Sequence, residues 1–156
     1  MIANTCCFIG HRTIEETNAL KEKVYTCVEK MITELHIDTF LFGSKSRFND
    51  LCFEIVTALK ETYPHIQRVY VRAEFPVIDD DYKQYLLERY DDTYYPEKIV
   101  GAGKSVYVER NCEMIQNSRF CVVYFDEKRL PKTRKSGTKT ALEYAVKCGK
   151  HIVKLP

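Results

Sequence analysis

The chain has 156 residues, 45% of them apolar and 29% charged, which excludes a disordered chain. That length suits a single domain, residues 1–156, able to bury roughly two-thirds of its unfolded surface without staples. With 24 basic and 22 acidic side chains the formal net charge is +2, a balance that argues neither for nor against a nucleic-acid partner.

In chain order, residues 5–9 form a short apolar run closed by Gly10-His11-Arg12. Thr13 and Glu16 then read as the Thr-x-x-Glu signature of a helix start. Leu20, Val24, Cys27, Val28, Met31 and Leu35 follow at helical spacing. Residues 39–42, Thr-Phe-Leu-Phe, predict a second strand that ends in Gly43-Ser44-Lys45-Ser46. Phe48, Leu51, Cys52, Ile55, Val56 and Leu59 predict a second amphipathic helix, stopped near Pro64. Residues 68–73 predict a third strand.

The middle is less regular. Asp79-Asp80-Asp81 predicts the start of a short helix through Tyr90, which Tyr94-Tyr95-Pro96 breaks. Gly101-Ala102-Gly103 is a turn, and residues 104–117 read as helix. Residues 120–125, Phe-Cys-Val-Val-Tyr-Phe, are the longest unbroken apolar run and predict a strand buried on both faces. A basic stretch follows, then Ser136-Gly137-Thr138 opens a helix carrying Ala141, Leu142, Ala145 and Val146. Residues 151–155 predict a last strand.

Alternating strands and helices imply right-handed crossovers, hence an α/β fold of three layers, Rossmann-like, with a mostly parallel sheet of about five core strands. In such sheets ligands sit outside the carboxyl ends of the strands. Three turns reach that edge: Gly10-His11-Arg12, Gly43-Ser44-Lys45-Ser46 and the loop after Phe125. Glycine lets backbone approach a ligand, and free N–H groups at a helix start favour an anion, so the convergence suits a phosphate.

No apolar run reaches bilayer-spanning length, and the first residues lack the basic and apolar regions of a secretory leader. Seven cysteines, with no Cys-x-x-Cys pair, fit buried thiols in a reducing cytosol better than a disulfide framework or a zinc site. The expected location is therefore cytoplasmic, with no membrane association, no metal and no cofactor. Cys6 and Cys7, adjacent in one strand, should face opposite sides of the sheet.

Phe8-Ile9-Gly10-His11-Arg12, Glu109-Arg110-Asn111-Cys112-Glu113-Met114 and Ser136-Gly137-Thr138 together resemble the SLOG superfamily, named after the DNA-processing protein DprA and the "lonely guy" (LOG) enzymes. The nearest branch is the YpsA-like proteins, with their early Gly-His-Arg, an Arg-Asn helix and a Gly-Thr-Lys turn before Glu-Tyr-Ala. That last piece stands here as Gly137-Thr138-Lys139 and Glu143-Tyr144-Ala145. The resemblance runs in order through nearly the whole chain and is loose over residues 72–103. It implies a Rossmann-like domain binding nucleotides or nucleotide-derived molecules. LOG enzymes cleave the N-glycosidic bond of cytokinin nucleoside monophosphates, and their functional arginine carries over to Arg110. Their paired glutamates do not carry over: Thr140 and Ala141 stand in those places, with Lys135 and Ser136 where a glycine pair and its following residue would be. Glycosidic cleavage needs a carboxylate, for which Glu74 or Asp126 is available in the sequence. LOG enzymes also place the arginine helix near a subunit contact, which implies a homodimer.

Each candidate has a plainer reading beside the functional one. Ser136, Gly137 and Thr138 form a phosphate cradle or a helix cap. Arg110 clamps a phosphate, or pairs with a neighbour such as Glu113 on its helix. Asn111 holds a ribose hydroxyl or a loop backbone. His11 and Arg12 face a ligand, or His11 bonds a loop carbonyl while Arg12 lies on the surface. Gly43, Ser44 and Ser46 line a pocket or cap the next helix. Glu143 lies between Lys139 and Lys147 at the spacing of an ion-pair ladder. Residues 128–139 hold six basic side chains and no acid, and read as a solvated loop more readily than as a nucleic-acid surface. Tyr94 and Tyr95 are candidate walls of a base pocket.

The preferred expectation is a ligand-binding or sensor protein for an AMP-, ADP-ribose- or NAD-like metabolite, with nucleotide contacts at Gly10, His11, Arg12, Gly43, Ser44, Ser46, Arg110, Asn111, Ser136, Gly137 and Thr138. The alternatives are a nucleoside 5'-monophosphate phosphoribohydrolase with Arg110 as its catalytic residue and, third, a nucleic-acid-associated protein.

Overall fold

A computed structural model describes residues 2–130 and 136–156. The elements are β1 (Thr5–Gly10), α1 (Asn18–Glu34), β2 (Thr39–Phe42), α2 (Arg47–Thr62), β3 (Gln67–Val71), α3 (Asp80–Leu87), β4 (Asp92–Tyr94), α4 (Val106–Gln116), β5 (Phe120–Tyr124), α5 (Gly137–Lys147) and β6 (His151–Leu155). The sheet order is β4-β3-β2-β1-β5-β6, and every neighbouring pair is parallel. Strand order reverses between β1 and β5. The crevice that opens at such a reversal is where α/β folds place ligands.

Period-two alternation sorts the core into two layers. Cys6, Phe8, Phe40, Phe42, Val122 and Tyr124 face α1 and α2 and pack on Val24, Val28, Phe48 and Leu51. Cys7, Ile9, Leu41, Val69, Cys121 and Val123 face α4 and α5, against Met114, Ile115, Ala141 and Ala145. Cys6 and Cys7 therefore do point to opposite faces. All seven cysteines are free thiols: four are buried, two are half-buried, and Cys148 at the end of α5 is exposed. Burial raises the thiols of Cys6 and Cys52 well above their ordinary value. Among the described residues no helix is long and apolar enough to cross a membrane.

Several boundaries differ from the sequence reading. The first helix begins at Asn18, capped by Thr17, whose hydroxyl accepts from Leu20 N–H at 3.0 Å. Glu16 is drawn away by Arg47, which donates from Nε at 2.7 Å and from Nη2 at 2.6 Å, so the Thr13–Glu16 box does not form. The third strand covers 67–71 rather than 68–73, and the acidic helix ends at Leu87, three residues before Tyr90. The sheet also has a sixth strand, β4, which the sequence reading did not predict. Its three residues lack an apolar run, and tertiary contacts hold it. Asp91 takes Arg68 N–H at 2.8 Å and Arg68 Nε at 3.0 Å, which steers the chain onto the edge of β3.

Candidate functional site

The carboxyl ends of β1, β2, β3 and β5 surround a cavity of about 910 Å³. All eleven residues singled out from the sequence line it: Gly10, His11 and Arg12 after β1; Gly43, Ser44 and Ser46 after β2; Arg110 and Asn111 on α4; Ser136, Gly137 and Thr138 at the start of α5. Parallel strands explain the convergence, because every βα turn then opens on the same edge.

The two helix starts at the cavity differ. At α2 the backbone is mostly satisfied internally. Ser46 Oγ takes Asn49 N–H at 3.0 Å, Ser44 and Ser46 hydroxyls meet at 2.9 Å, and Arg47 N–H donates to Arg12 O at 2.9 Å. At α5, Ser136 Oγ takes Lys139 N–H at 3.1 Å and Ser136 O takes Thr140 N–H at 3.1 Å. Among the described residues, the N–H groups of Gly137 and Thr138 have no partner, and a Cβ built on Gly137 meets open space. The second start is thus the better anion seat, with free amides at the positive end of an eleven-residue helix.

The other two glycines have packing reasons. A Cβ on Gly10 would lie 2.6 Å from Phe48 Cβ, inside the core. On Gly43 it would lie 2.9 Å from both Arg110 Cδ and Met114 Sδ. Gly43 therefore makes room for the arginine helix.

Arg110 is 4% exposed and has no carboxylate partner among the described residues. Nη1 donates to Gly43 O at 2.5 Å and to Val71 O at 3.4 Å, and Nε donates to Asn111 Oδ1 at 3.0 Å. Among the described residues Nη2 makes no hydrogen bond and no buried side-chain nitrogen or oxygen is left unsatisfied, so Nη2 keeps some exposure on a residue that lines the cavity. Burial pulls the guanidinium below its ordinary value, against the opposing pull of Tyr70, Tyr107 and Glu74. It is a desolvated cation, fixed in direction, with one edge free. The expected alternative, a pair with Glu113, does not form; Glu113 lies 3.9 Å from Lys98. Among the described residues Asn111 holds no loop backbone; its carbonyl oxygen orients Arg110.

His11 is 7% exposed, and its Nε2 lies 2.9 Å from Asp126 N and 3.1 Å from Asp126 O, accepting from the amide or donating to the carbonyl according to its tautomer. Burial lowers the histidine from its ordinary value, against the opposing pull of Asp126. His11 thus ties the end of β1 to the loop after β5. Arg12 is exposed at the rim with no ion pair among the described residues.

Sequence reasoning missed Tyr70, Tyr107 and Arg129, which also face the cavity. Lys45 of the second turn lines it too, and so does Glu74, one of the two carboxylates named from the sequence and the cavity's one carboxylate among the described residues. Tyr107 lies one helical turn before Arg110, a spacing that i, i+3 logic finds once Arg110 is chosen. Tyr94 and Tyr95 do not line the cavity; Tyr94 packs against the α4–α5 side of the core, so the aromatic walls are Tyr70 and Tyr107. Asp126 is occupied by capping, its Oδ1 taking Lys128 N–H at 3.0 Å. Glu143 is exposed, and no ion pair joins it to Lys139 or Lys147. Of the basic stretch at 128–139, residues 131–135, including Lys135, lie outside the described residues; Arg129 reaches the cavity while Lys128 and Lys139 are exposed.

The described lining sets four cations, Arg12, Lys45, Arg110 and Arg129, against Glu74 alone. Comparison of the chain with known family models gives no match, and comparison with curated proteins gives none either.

Proposed function

We propose that this protein binds a nucleotide or nucleotide-derived metabolite of the AMP, ADP-ribose or NAD kind at the carboxyl edge of its sheet, as a sensor or ligand-binding protein. The observation that carries the reading is Arg110, a buried cation that lines a cavity rich in positive charge and has no ion-pair partner among the described residues. Desolvating such a group is costly, and an anion arriving beside it recovers that cost through charge-assisted hydrogen bonds. The free amides of Gly137 and Thr138 offer a second set of donors, and the faces of Tyr70 and Tyr107 offer apolar walls for a base. The resemblance to the SLOG superfamily implies the same ligand class.

A phosphoribohydrolase reading is favoured by one observation, the presence of Glu74 in the cavity. A hydrogen bond from Tyr107, helped by Lys45 and opposed by slight burial, holds Glu74 below its usual range. An ionised carboxylate suits a developing oxocarbenium centre, but it cannot protonate a departing base. No second carboxylate lines the described part of the cavity, so binding without turnover is the preferred reading.

The test is a thermal-shift series with AMP, ADP, ADP-ribose, NAD and cytokinin monophosphates, with product analysis of each hit. A ligand at a hundred times its dissociation constant adds ~2.7 kcal/mol to stability. The expected result is stabilisation of the wild type by at least one of these, lost in Arg110→Ala and weakened in Thr138→Ala, with the ligand recovered intact. Free base and ribose phosphate among the products would establish the hydrolase instead. Absence of any shift would sink both.

A further inference from the structure

The cavity holds two sets of anion donors, and they sit apart. The first is the start of α5, where the N–H groups of Gly137 and Thr138 have no partner among the described residues. The Thr138 side chain joins them, 8% exposed on a residue that lines the cavity. Among the described residues its hydroxyl makes no hydrogen bond and no buried side-chain oxygen is left unsatisfied, so the hydroxyl keeps some exposure. The second set is the Arg110 guanidinium, which Nη1 ties to Gly43 O just past β2 and to Val71 O at the end of β3.

Topology sets the distance between the two sets. α5 packs on β1 and β5, whereas Arg110 stands over the ends of β2 and β3. In the order β3-β2-β1-β5 those positions are two strand spacings apart, about 10 Å. A single phosphate with a charge-assisted hydrogen bond of about 2.8 Å on each side bridges opposed nitrogens roughly 8 Å apart. It serves one set or the other. A diphosphate adds about 3 Å for its P–O–P link and reaches both. Between the sets the start of α2 offers little to a phosphate, because Asn49 N–H goes to Ser46 Oγ and Arg47 N–H to Arg12 O. The bridging oxygen of a diphosphate, which carries no formal charge, suits that gap. Charge agrees with length: four cations against one carboxylate exceed what one phosphate, at about two negative charges, neutralises.

We infer that the cavity selects a diphosphate, one phosphate on the amides and hydroxyl at the start of α5 and the other against Arg110. This rests on the nucleotide reading above and narrows it to nucleoside diphosphates and their esters, away from mononucleotides.

Calorimetric titration of AMP and ADP into the wild type, Arg110→Met and Arg12→Met tests it, with inorganic phosphate and pyrophosphate as probes that lack the nucleoside. The wild type is expected to bind ADP roughly tenfold or more tightly than AMP, as one charge-assisted hydrogen bond allows, and pyrophosphate more tightly than phosphate. Arg110→Met should bring the ratio of the two nucleotide affinities close to one. Arg12, exposed at the rim after β1, lies between the two sets, so Arg12→Met should weaken both nucleotides alike and keep the ratio. Loss of the ratio in both variants would reduce the preference to bulk charge and overturn the inference, as would a ratio that survives in Arg110→Met. Equal binding of AMP and ADP by the wild type overturns it without any variant, and leaves the nucleotide reading standing. Pyrophosphate outbinding phosphate while neither nucleotide binds would do the reverse, and failure of all four ligands brings down both.

Discussion

Arg110 Nη1 donates to the carbonyl oxygen of Gly43 at 2.5 Å, joining α4 to the end of β2 across 67 residues of chain. The contact exists because position 43 has no side chain. A Cβ there would meet Arg110 Cδ and Met114 Sδ, both at 2.9 Å. Gly43→Ala is therefore expected to cost about 1–2 kcal/mol of stability through overpacking. Its larger effect should be on ligand binding, since the arginine must swing from its carbonyl. Chemical denaturation gives the first quantity and nucleotide titration the second. Affinity falling no further than stability explains would show that Arg110 does not touch the ligand.

Burial of the His11 ring makes stability depend on pH in a defined direction. Desolvation lowers its pKa below the ordinary unfolded value of about 6.5, although Asp126 pulls the other way. A group depressed in the folded state stabilises fully above the unfolded value, and that contribution is lost as pH falls through the folded one. Protonation would place a charge on a desolvated ring, a cost that Asp126 O at 3.1 Å from Nε2 offsets only in part. The wild type should therefore lose stability from about pH 6.5 downward, and His11→Gln should show a flatter profile. The other three histidines are exposed, so the difference between the two curves isolates this ring. Parallel curves would mean that His11 titrates alike in the folded and unfolded states.

How much of this was legible depends on whether a contact is local. Apolar runs located β1, β2 and β5 to within about one residue, and the apolar strand 151–155 matched β6. Ser46 and Ser136 cap their helices as small hydroxyl residues do. The candidate site was legible because a fold rule, not any one motif, gathers βα turns on one edge. What failed was set by partners distant in sequence. Glu16 is taken by Arg47, 31 residues on, which moves the helix start to Thr17. β4 is specified by the Arg68–Asp91 fork rather than by its own three residues. Glu74 accepts a hydrogen bond from Tyr107, 33 residues away, and no pattern in the chain couples the two.

Gly10→Ala separates a core requirement from a ligand requirement. The first turn reads as a backbone approach to phosphate, but the new Cβ would lie 2.6 Å from Phe48 Cβ and Cγ, and Phe48 is fully buried. Phe48 Cβ is fixed to the first turn of α2 and cannot rotate away. The expected cost is ~1–3 kcal/mol or more in unfolding free energy. A variant as stable as the wild type would mean that α2 shifts freely over β1.

Gly137→Ala should behave in the opposite way. Its Cβ meets open space and its φ is not in the left-handed region, so alanine fits without strain. Ligand-free stability should be unchanged or higher by ~0.4–1 kcal/mol, because alanine restricts the unfolded chain and favours helix. Yet that open space borders the cavity beside the free amides of the α5 start. A methyl group there would hold a phosphate off the N–H groups of Gly137 and Thr138. Nucleotide affinity is expected to fall roughly tenfold, the size of one lost charge-assisted hydrogen bond, while the protein becomes no less stable. Titration of ADP alongside thermal unfolding reads both quantities from one variant. Undiminished affinity would place the phosphate elsewhere, against Arg110 and Lys45.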